Sequence, residues 1–140
     1  MAIRPGRVLA LDFGTKRIGM AVTDPERTMV FPRPLLLNVG LEKVLIFLRE
    51  FCVDEVVTLV VVGCPFDDLH VENDQTARVR DFGSRVAEFI GVPVEYEDEK
   101  YTTAEAEMML DEFGIDFRGK KQIRDSVAAM LILQSYLKKV

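Results

Sequence analysis

Two cysteines and a single histidine among 140 residues leave little room for thiol or soft-metal chemistry. Cys52 and Cys64 are too few for a disulfide framework and lack metal-ligand spacing, so both read as small buried or half-buried residues. His70 stands in a polar loop between Asp68 and Glu72, and the lack of a second histidine argues against a zinc site of the usual kind. Nearly half the residues are hydrophobic, yet no uninterrupted apolar run approaches the roughly 18 residues that cross a bilayer. The opening stretch Met1 to Arg7 lacks the apolar core of a secretion signal. The expectation is a soluble cytoplasmic protein with no membrane partner. No linker, internal repeat or low-complexity tract divides the chain, which suits one domain over residues 1–140.

The net charge of −5 looks unsuited to a nucleic-acid binder, but it is unevenly spread. Residues 1–40 carry +3, residues 41–117 carry −13 and residues 118–140 carry +5. A fold that joins the two basic ends would create a local positive surface for phosphates. The other reading of the same charges is a solvated surface.

Hydrophobic periodicity supplies the element order. Val8 to Asp12 and Ile18 to Thr23 read as strands joined by a tight turn, and Met29 to Leu37 as a third strand whose Pro32 and Pro34 suit a sheet edge. Leu41, Val44, Leu45, Leu48 and Phe51 recur at helical spacing. Val56 to Val62 is a β-branched run expected to be a strand covered on both faces. Val79, Phe82, Val86, Phe89 and Ile90 mark a second helix, ended by Gly91 and Pro93. Val92 to Glu97 is a fifth strand, Thr103 to Phe113 a further helix, and Ile123 to Leu137 a last one with Lys138 and Lys139 at its end. Strands after the meander must join through helical crossovers, hence in parallel. The expected architecture is α/β: a five-stranded mixed sheet, three strands in an antiparallel meander plus two parallel, with helices on both faces. Function in such sheets gathers at the carboxyl ends of the central strands, where Asp12, Gly63 to Asp68 and Asp98-Glu99 fall.

Asp12 closes an apolar strand and is followed by Phe13-Gly14-Thr15-Lys16-Arg17, so a carboxylate meets backbone amides and two cations at a sheet edge. The corner could serve the hairpin alone, since aspartate and glycine favour turns, or it could hold a metal ion or phosphate. Two further acids sit where packing does not call for one: Glu99, just beyond the fifth strand, and Asp125, opening the last helix. Ordinary explanations exist for both, a solvated acidic run for Glu99 and a first-turn acid for Asp125. Against these, Ala128 and Ala129 would let the helix approach the sheet and bring Asp125 toward Asp12. A threonine of Thr102-Thr103 ahead of Glu105 resembles a helix cap that leaves Glu99 on the functional side. Three such carboxylates suit phosphodiester hydrolysis with Mg²⁺ or Mn²⁺, hard cations that activate a water and stabilise the leaving oxygen. Lys16, Arg17, Arg78, Arg80, Lys100, Lys120, Lys121 and Arg124 are candidate phosphate contacts lining the approaches.

Asp12-Phe13-Gly14-Thr15-Lys16-Arg17-Ile18-Gly19, Val62-Gly63-Cys64-Pro65, Thr76-Ala77-Arg78-Val79-Arg80-Asp81-Phe82, Asp98-Glu99-Lys100-Tyr101-Thr102-Thr103 and Asp125 with Ala128-Ala129 together resemble the YqgF/RuvX family of small nucleases in the ribonuclease H-like superfamily. The resemblance covers nearly the whole chain. It implies a ribonuclease H-like fold, with Asp12, Glu99 and Asp125 as catalytic metal ligands and Lys16, Arg17, Arg78, Arg80, Lys100, Thr102 and Thr103 on the substrate. It further implies a metal-dependent nuclease maturing the 5′ end of pre-16S ribosomal RNA, with Holliday-junction resolution as the other activity proposed for the family. Two departures stand out: Lys100-Tyr101 replaces the usual Arg-Leu, exchanging a forked donor for a point charge, and Phe66-Asp67-Asp68-Leu69-His70 replaces a polar, glycine-containing loop. The substrate is thus expected to be a structured RNA precursor or branched DNA, and a two-fold junction would call for a homodimer. Asp-Phe-Gly-Thr-Lys also resembles the first phosphate motif of the actin and sugar-kinase superfamily, but those enzymes close two such domains over ATP and this chain has room for one. A non-catalytic RNA-binding assembly factor is the remaining alternative, opposed by three retained acids and by the lack of an aromatic-rich recognition motif.

Overall fold

Four consecutive side chains, Val8 to Leu11, have no solvent exposure in the computed structural model, so the strand that carries them must be covered on both faces. That strand, β1 (Arg7–Phe13), lies at the centre of a five-stranded sheet ordered β3-β2-β1-β4-β5. Residues 5–64, 73–98, 108 and 121–140 are described, those at 121–125 for their backbone only. β2 (Arg17–Thr23) and β3 (Val30–Leu37) continue the antiparallel meander, whereas β4 (Val57–Cys64) and β5 (Val94–Asp98) run parallel to β1. The mixed sheet is the one expected, and β3 occupies an edge, where Pro32 and Pro34 can lack their amide protons.

Alternation along β1 sends successive residues to opposite layers. Leu9 and Leu11 join Ile18, Met20, Val60 and Val62 under α1 (Leu41–Asp54) and α2 (Asp74–Ile90), whose Val44, Leu48, Val79, Phe82 and Val86 complete that core. Val8 and Ala10 face the other way, toward α3 (Lys121–Lys139) and its Val127, Met130, Ile132 and Leu133. Ala10 and Ala21 pair across β1 and β2 and share this second core with Ala129. Small side chains on both sides let the helix sit close to the sheet, as the Ala128-Ala129 pair suggests.

Several boundaries differ from the periodicity by a residue or more, as where β5 starts at Val94 rather than Val92 and α3 at Lys121 rather than Ile123, and two are instructive. α2 begins at Asp74, a full turn before Val79, because Asn73 caps it: its Oδ1 accepts from Thr76 N at 2.9 Å and from Thr76 Oγ1 at 3.1 Å. Its other end stops at Gly91 in the left-handed conformation, the glycine cap the sequence announces. β4 runs two residues beyond Val62, to Cys64, which extends the parallel ladder with β5 to its carboxyl end. Both cysteines are buried thiols, and burial pushes Cys52 up to about 11. The helix expected over Thr103 to Phe113 lies outside the described residues, apart from the helical Met108.

Leu48 is wholly buried between α1 and the sheet. Leu48→Ala should cost about 2–5 kcal/mol of stability, read by chemical denaturation. At the β2–β3 connection Asp24 accepts from Thr28 N, Thr28 Oγ1 and Met29 N at 2.7–2.8 Å, and these bonds, that from Met29 foremost, hold its carboxyl down at about 2. Because the folded value lies below the unfolded one near 4, the stability this group contributes is complete above pH 4 and fades as pH falls toward 2. Asp24→Asn should be less stable than the parent at pH 6, and urea titrations should show the gap closing between pH 4 and 2.

Candidate nuclease site at the carboxyl edge of the sheet

Register fixes which strand ends meet. Leu11 lies beside Val62, Val62 beside Tyr96, and Cys64 beside Asp98, so β1, β4 and β5 all finish at one edge. Asp12 follows Leu11 there and, by alternation, belongs to the face that α3 covers. It is half-buried and lines a cavity of about 260 Å³ with Gly14, Thr15, Lys16 and Arg17.

The hairpin beyond Asp12 is tight and pinned from outside. Asn38 N donates to Lys16 O at 2.9 Å and Asn38 Nδ2 donates to Gly14 O at 3.1 Å. A Cβ at Gly14 would lie 2.4 Å from the Arg17 carbonyl oxygen. Glycine is therefore required by the chain folding against itself, and this close approach sets where Lys16 and Arg17 emerge. Both cations are exposed beside the cavity.

Of the two arginines expected from α2, Arg78 lines cavities of about 320 and 430 Å³ together with Phe13 and Thr15, which places it at the hairpin. Arg80 points elsewhere: its guanidinium packs 5.1 Å from the Tyr96 ring centre, and Tyr96 OH donates to Arg80 O at 3.2 Å. Thr76 serves the cap of α2. α3 begins at Lys121, a turn earlier than an opening by Asp125 would have it, so Asp125 stands one turn inside the helix, immediately before Ser126, whose Oγ donates to Arg33 O of β3 at 2.7 Å. Its side chain lies outside the described residues, as do those of Lys121 and Arg124 and the whole of Glu99, Lys100, Thr102, Thr103 and Lys120.

A residue that sequence reasoning passed over sits beside this edge. Glu97, expected at the end of the fifth strand and given no role there, is 3 % exposed. Ser135 Oγ donates to its Oε1 at 2.8 Å and Lys139 Nζ lies 2.7 Å from the same atom. Tyr136 OH donates to Glu95 Oε2 at 2.6 Å, and that carboxylate holds the phenol above its usual range. The end of α3 is thus tied to β5 while its start is tied to β3. The signal was available: Glu95 and Glu97 share one face of a strand, and Ser135 and Lys139 stand one helical turn apart.

The donor chemistry at this edge suits a hard divalent cation. Asp12 offers carboxylate oxygens, and the nearby sulfur, Cys64, packs in the opposite core under α1 and α2. Among the described residues no three acidic, histidine or cysteine side chains gather as a metal cluster. Glu99 and the Asp125 side chain fall outside them.

The chain matches the family described as RuvX: Holliday junction resolvase over residues 6–139. It is 38% identical over 131 residues to a Nitrosospira multiformis protein named "Putative pre-16S rRNA nuclease", covering 94% of this chain and 87% of that one. A Porphyromonas gingivalis protein of the same name is 38% identical over 135 residues, covering 94% and 96%. Among solved structures, Thermus thermophilus RuvC in complex with Holliday junction substrate superposes with a TM-score of 0.64 at 15% identity, over 96% of each chain. The fowlpox virus Holliday junction resolvase gives 0.58 at 12% identity, over 96% of this chain and 99% of that one. These likenesses show that the fold is that of the ribonuclease H-like resolvases. Among the described residues no helix is long and apolar enough to cross a membrane.

Gly14→Ala should force the hairpin open at the Arg17 carbonyl, lowering stability by about 1–3 kcal/mol. Because the opening displaces Lys16 and Arg17, nucleic-acid affinity measured under conditions where the variant remains folded should fall as well.

Proposed function

We propose, from the premise that the chain belongs to the RuvX Holliday junction resolvase family, that it is a nuclease hydrolysing phosphodiester bonds with Mg²⁺ or Mn²⁺ at the carboxyl edge of its sheet, and that its substrate is the 5′ region of pre-16S ribosomal RNA. The observation that carries this reading is Asp12: a carboxylate at the end of the buried central strand, in a cavity shared with two exposed cations. Relatives 38% identical over nearly their full length, and bearing a pre-16S rRNA nuclease name, support the substrate.

In this reading Asp12, Glu99 and Asp125 hold the cation. When bound, a divalent metal supplies Lewis-acid activation of water and neutralises charge on the scissile phosphate. The remaining work belongs to the chain. Lys16 and Arg17, set by the Gly14 turn, and Arg78, facing the same hairpin, place the phosphate backbone, which fixes register without reading sequence. Arg80, whose guanidinium packs against Tyr96, is a further contact to the phosphate backbone. Lys100, Thr102 and Thr103, which follow Glu99 directly, contact the strand beside it. The Glu97 anchor holds α3, and so Asp125, against the sheet. The site works in the cytoplasm, where ribosomal precursors are processed.

Cleavage of four-way junction DNA is the second reading, favoured by the description of the family itself. It requires two copies of the chain, one for each symmetric cut.

Purified protein should cut a pre-16S transcript in Mg²⁺ or Mn²⁺ and lose that activity in EDTA. Asp12→Asn should reduce the rate by more than the roughly 10–100-fold that follows loss of an outer-shell partner. Cleavage of the junction alone, by a dimer in solution, would select the second reading. Tight metal and RNA binding with no cleavage of either substrate would instead make the protein a non-catalytic assembly factor. Activity untouched by Asp12→Asn would remove the site.

A further inference from the structure

The hairpin tip separates two different environments. On one side lies the cavity of Asp12; on the other, Phe13 and Thr15 border a second cavity of about 320 Å³ enclosed by the first turn of α1 and the middle of α2. Its volume falls at the lower end of small-ligand sites. Its walls are apolar: the Phe13 ring, backed by Phe82 in a stack with centroids 4.3 Å apart, and Leu41 and Val44 of α1. The polar groups at its margin are few. Asn38 is committed to the hairpin through Gly14 O and receives Gly40 N, which leaves Arg78 and Asp81, three residues apart on α2 and on the same side of the helix.

We propose that this cavity receives one unpaired nucleobase of the substrate, and that Asp81 selects guanine. The inference rests on the nuclease reading for its ligand class, since a strand whose phosphate lies at Asp12 passes the hairpin tip that both cavities share. An aromatic wall with apolar flanks is the environment in which splayed-out bases stack. The choice of base follows from donor geometry. A carboxylate accepts two hydrogen bonds side by side, and guanine presents two adjacent donors on its Watson–Crick edge, N1–H and the N2 amino group. Adenine and cytosine each present an amino group next to an acceptor, and uracil presents one N–H between two carbonyls. Arg78 supplies a donor for guanine O6, the contact arginine makes to guanine elsewhere. Asp81 Oδ2 lies 3.4 Å from Arg85 Nε, an exposed pair one turn along the helix that holds the carboxylate near α2. Uptake of a base here orients the strand for attack on the Asp12 side of the hairpin, a contribution distinct from the phosphate contacts.

The test is equilibrium binding by the full-length protein in EDTA, so that no turnover intervenes, of fluorescent oligouridylates carrying one guanosine, inosine or abasic residue. The guanosine probe should bind about tenfold tighter than the abasic one, the scale of a good base contact, with inosine, which lacks the N2 amino group, in between. Asp81→Asn should erase the guanosine-to-inosine difference, and Leu41→Trp, which fills the cavity, should bring all three probes to the abasic affinity. Circular dichroism confirms that each variant is folded; should Leu41→Trp fail to fold, Asp81→Asn carries the comparison. Equal binding of the three probes by the parent protein, binding of none, or a preference that survives both variants would overturn the proposal. A protein that discriminates the probes but cuts no substrate would retain the base subsite and lose only the nuclease reading.

Discussion

Everything at the candidate site depends on β1 being buried on both faces. Val8 to Leu11 have no exposure and divide their side chains between two cores, so this strand cannot slip by one residue without turning each core's contents into the other's. Its register against β2 and β4 is therefore rigid, and the position of Asp12 is set by packing far from any substrate. A carboxylate placed at the end of such a strand is held by the whole sheet, which is the support a precise metal or phosphate site needs.

The two cores have separate consequences. The one beneath α1 and α2 fixes Phe13, Phe82 and the segment around Arg78, and so the side of the hairpin that faces the helices. The one beneath α3 fixes the helix that carries Asp125. That helix is fastened twice by polar contacts, Ser126 to β3 and Ser135 with Lys139 to Glu97 of β5. Burying Glu97 is tolerable because its Oε1 atom has both a hydroxyl donor and an ammonium partner; a carboxylate there without them would be costly.

How much of this was legible in the sequence depends on whether local or long-range physics was in charge. The apolar run ending at Asp12, the prolines of β3 and the glycine closing α2 are local signals, and the structure places each where its chemistry requires. The early start of α2 was legible too, in Asn73 and Thr76, but its polar first turn carries no hydrophobic period. The burial of Glu97 went unread although the spacings were there, because the pairing joins it to Ser135 and Lys139, 38 and 42 positions away. Arg80 shows the same limit: nothing in its basic stretch announces that its guanidinium packs against Tyr96, on another element. The sequence left the Asp12-Gly14 corner open between turn and ligand, and the structure supplies the turn's reason for glycine in the Arg17 carbonyl.

The central claim is that Asp12 is the first ligand of a divalent-metal site at this edge, and crystals soaked in Mn²⁺ address it most directly. The account predicts an anomalous difference peak within coordinating distance of the Asp12 carboxylate, lost in Asp12→Asn crystals of the same form. A Mn²⁺ peak that is absent from this edge at saturating concentration, or one that persists there in the Asp12→Asn protein, would contradict it.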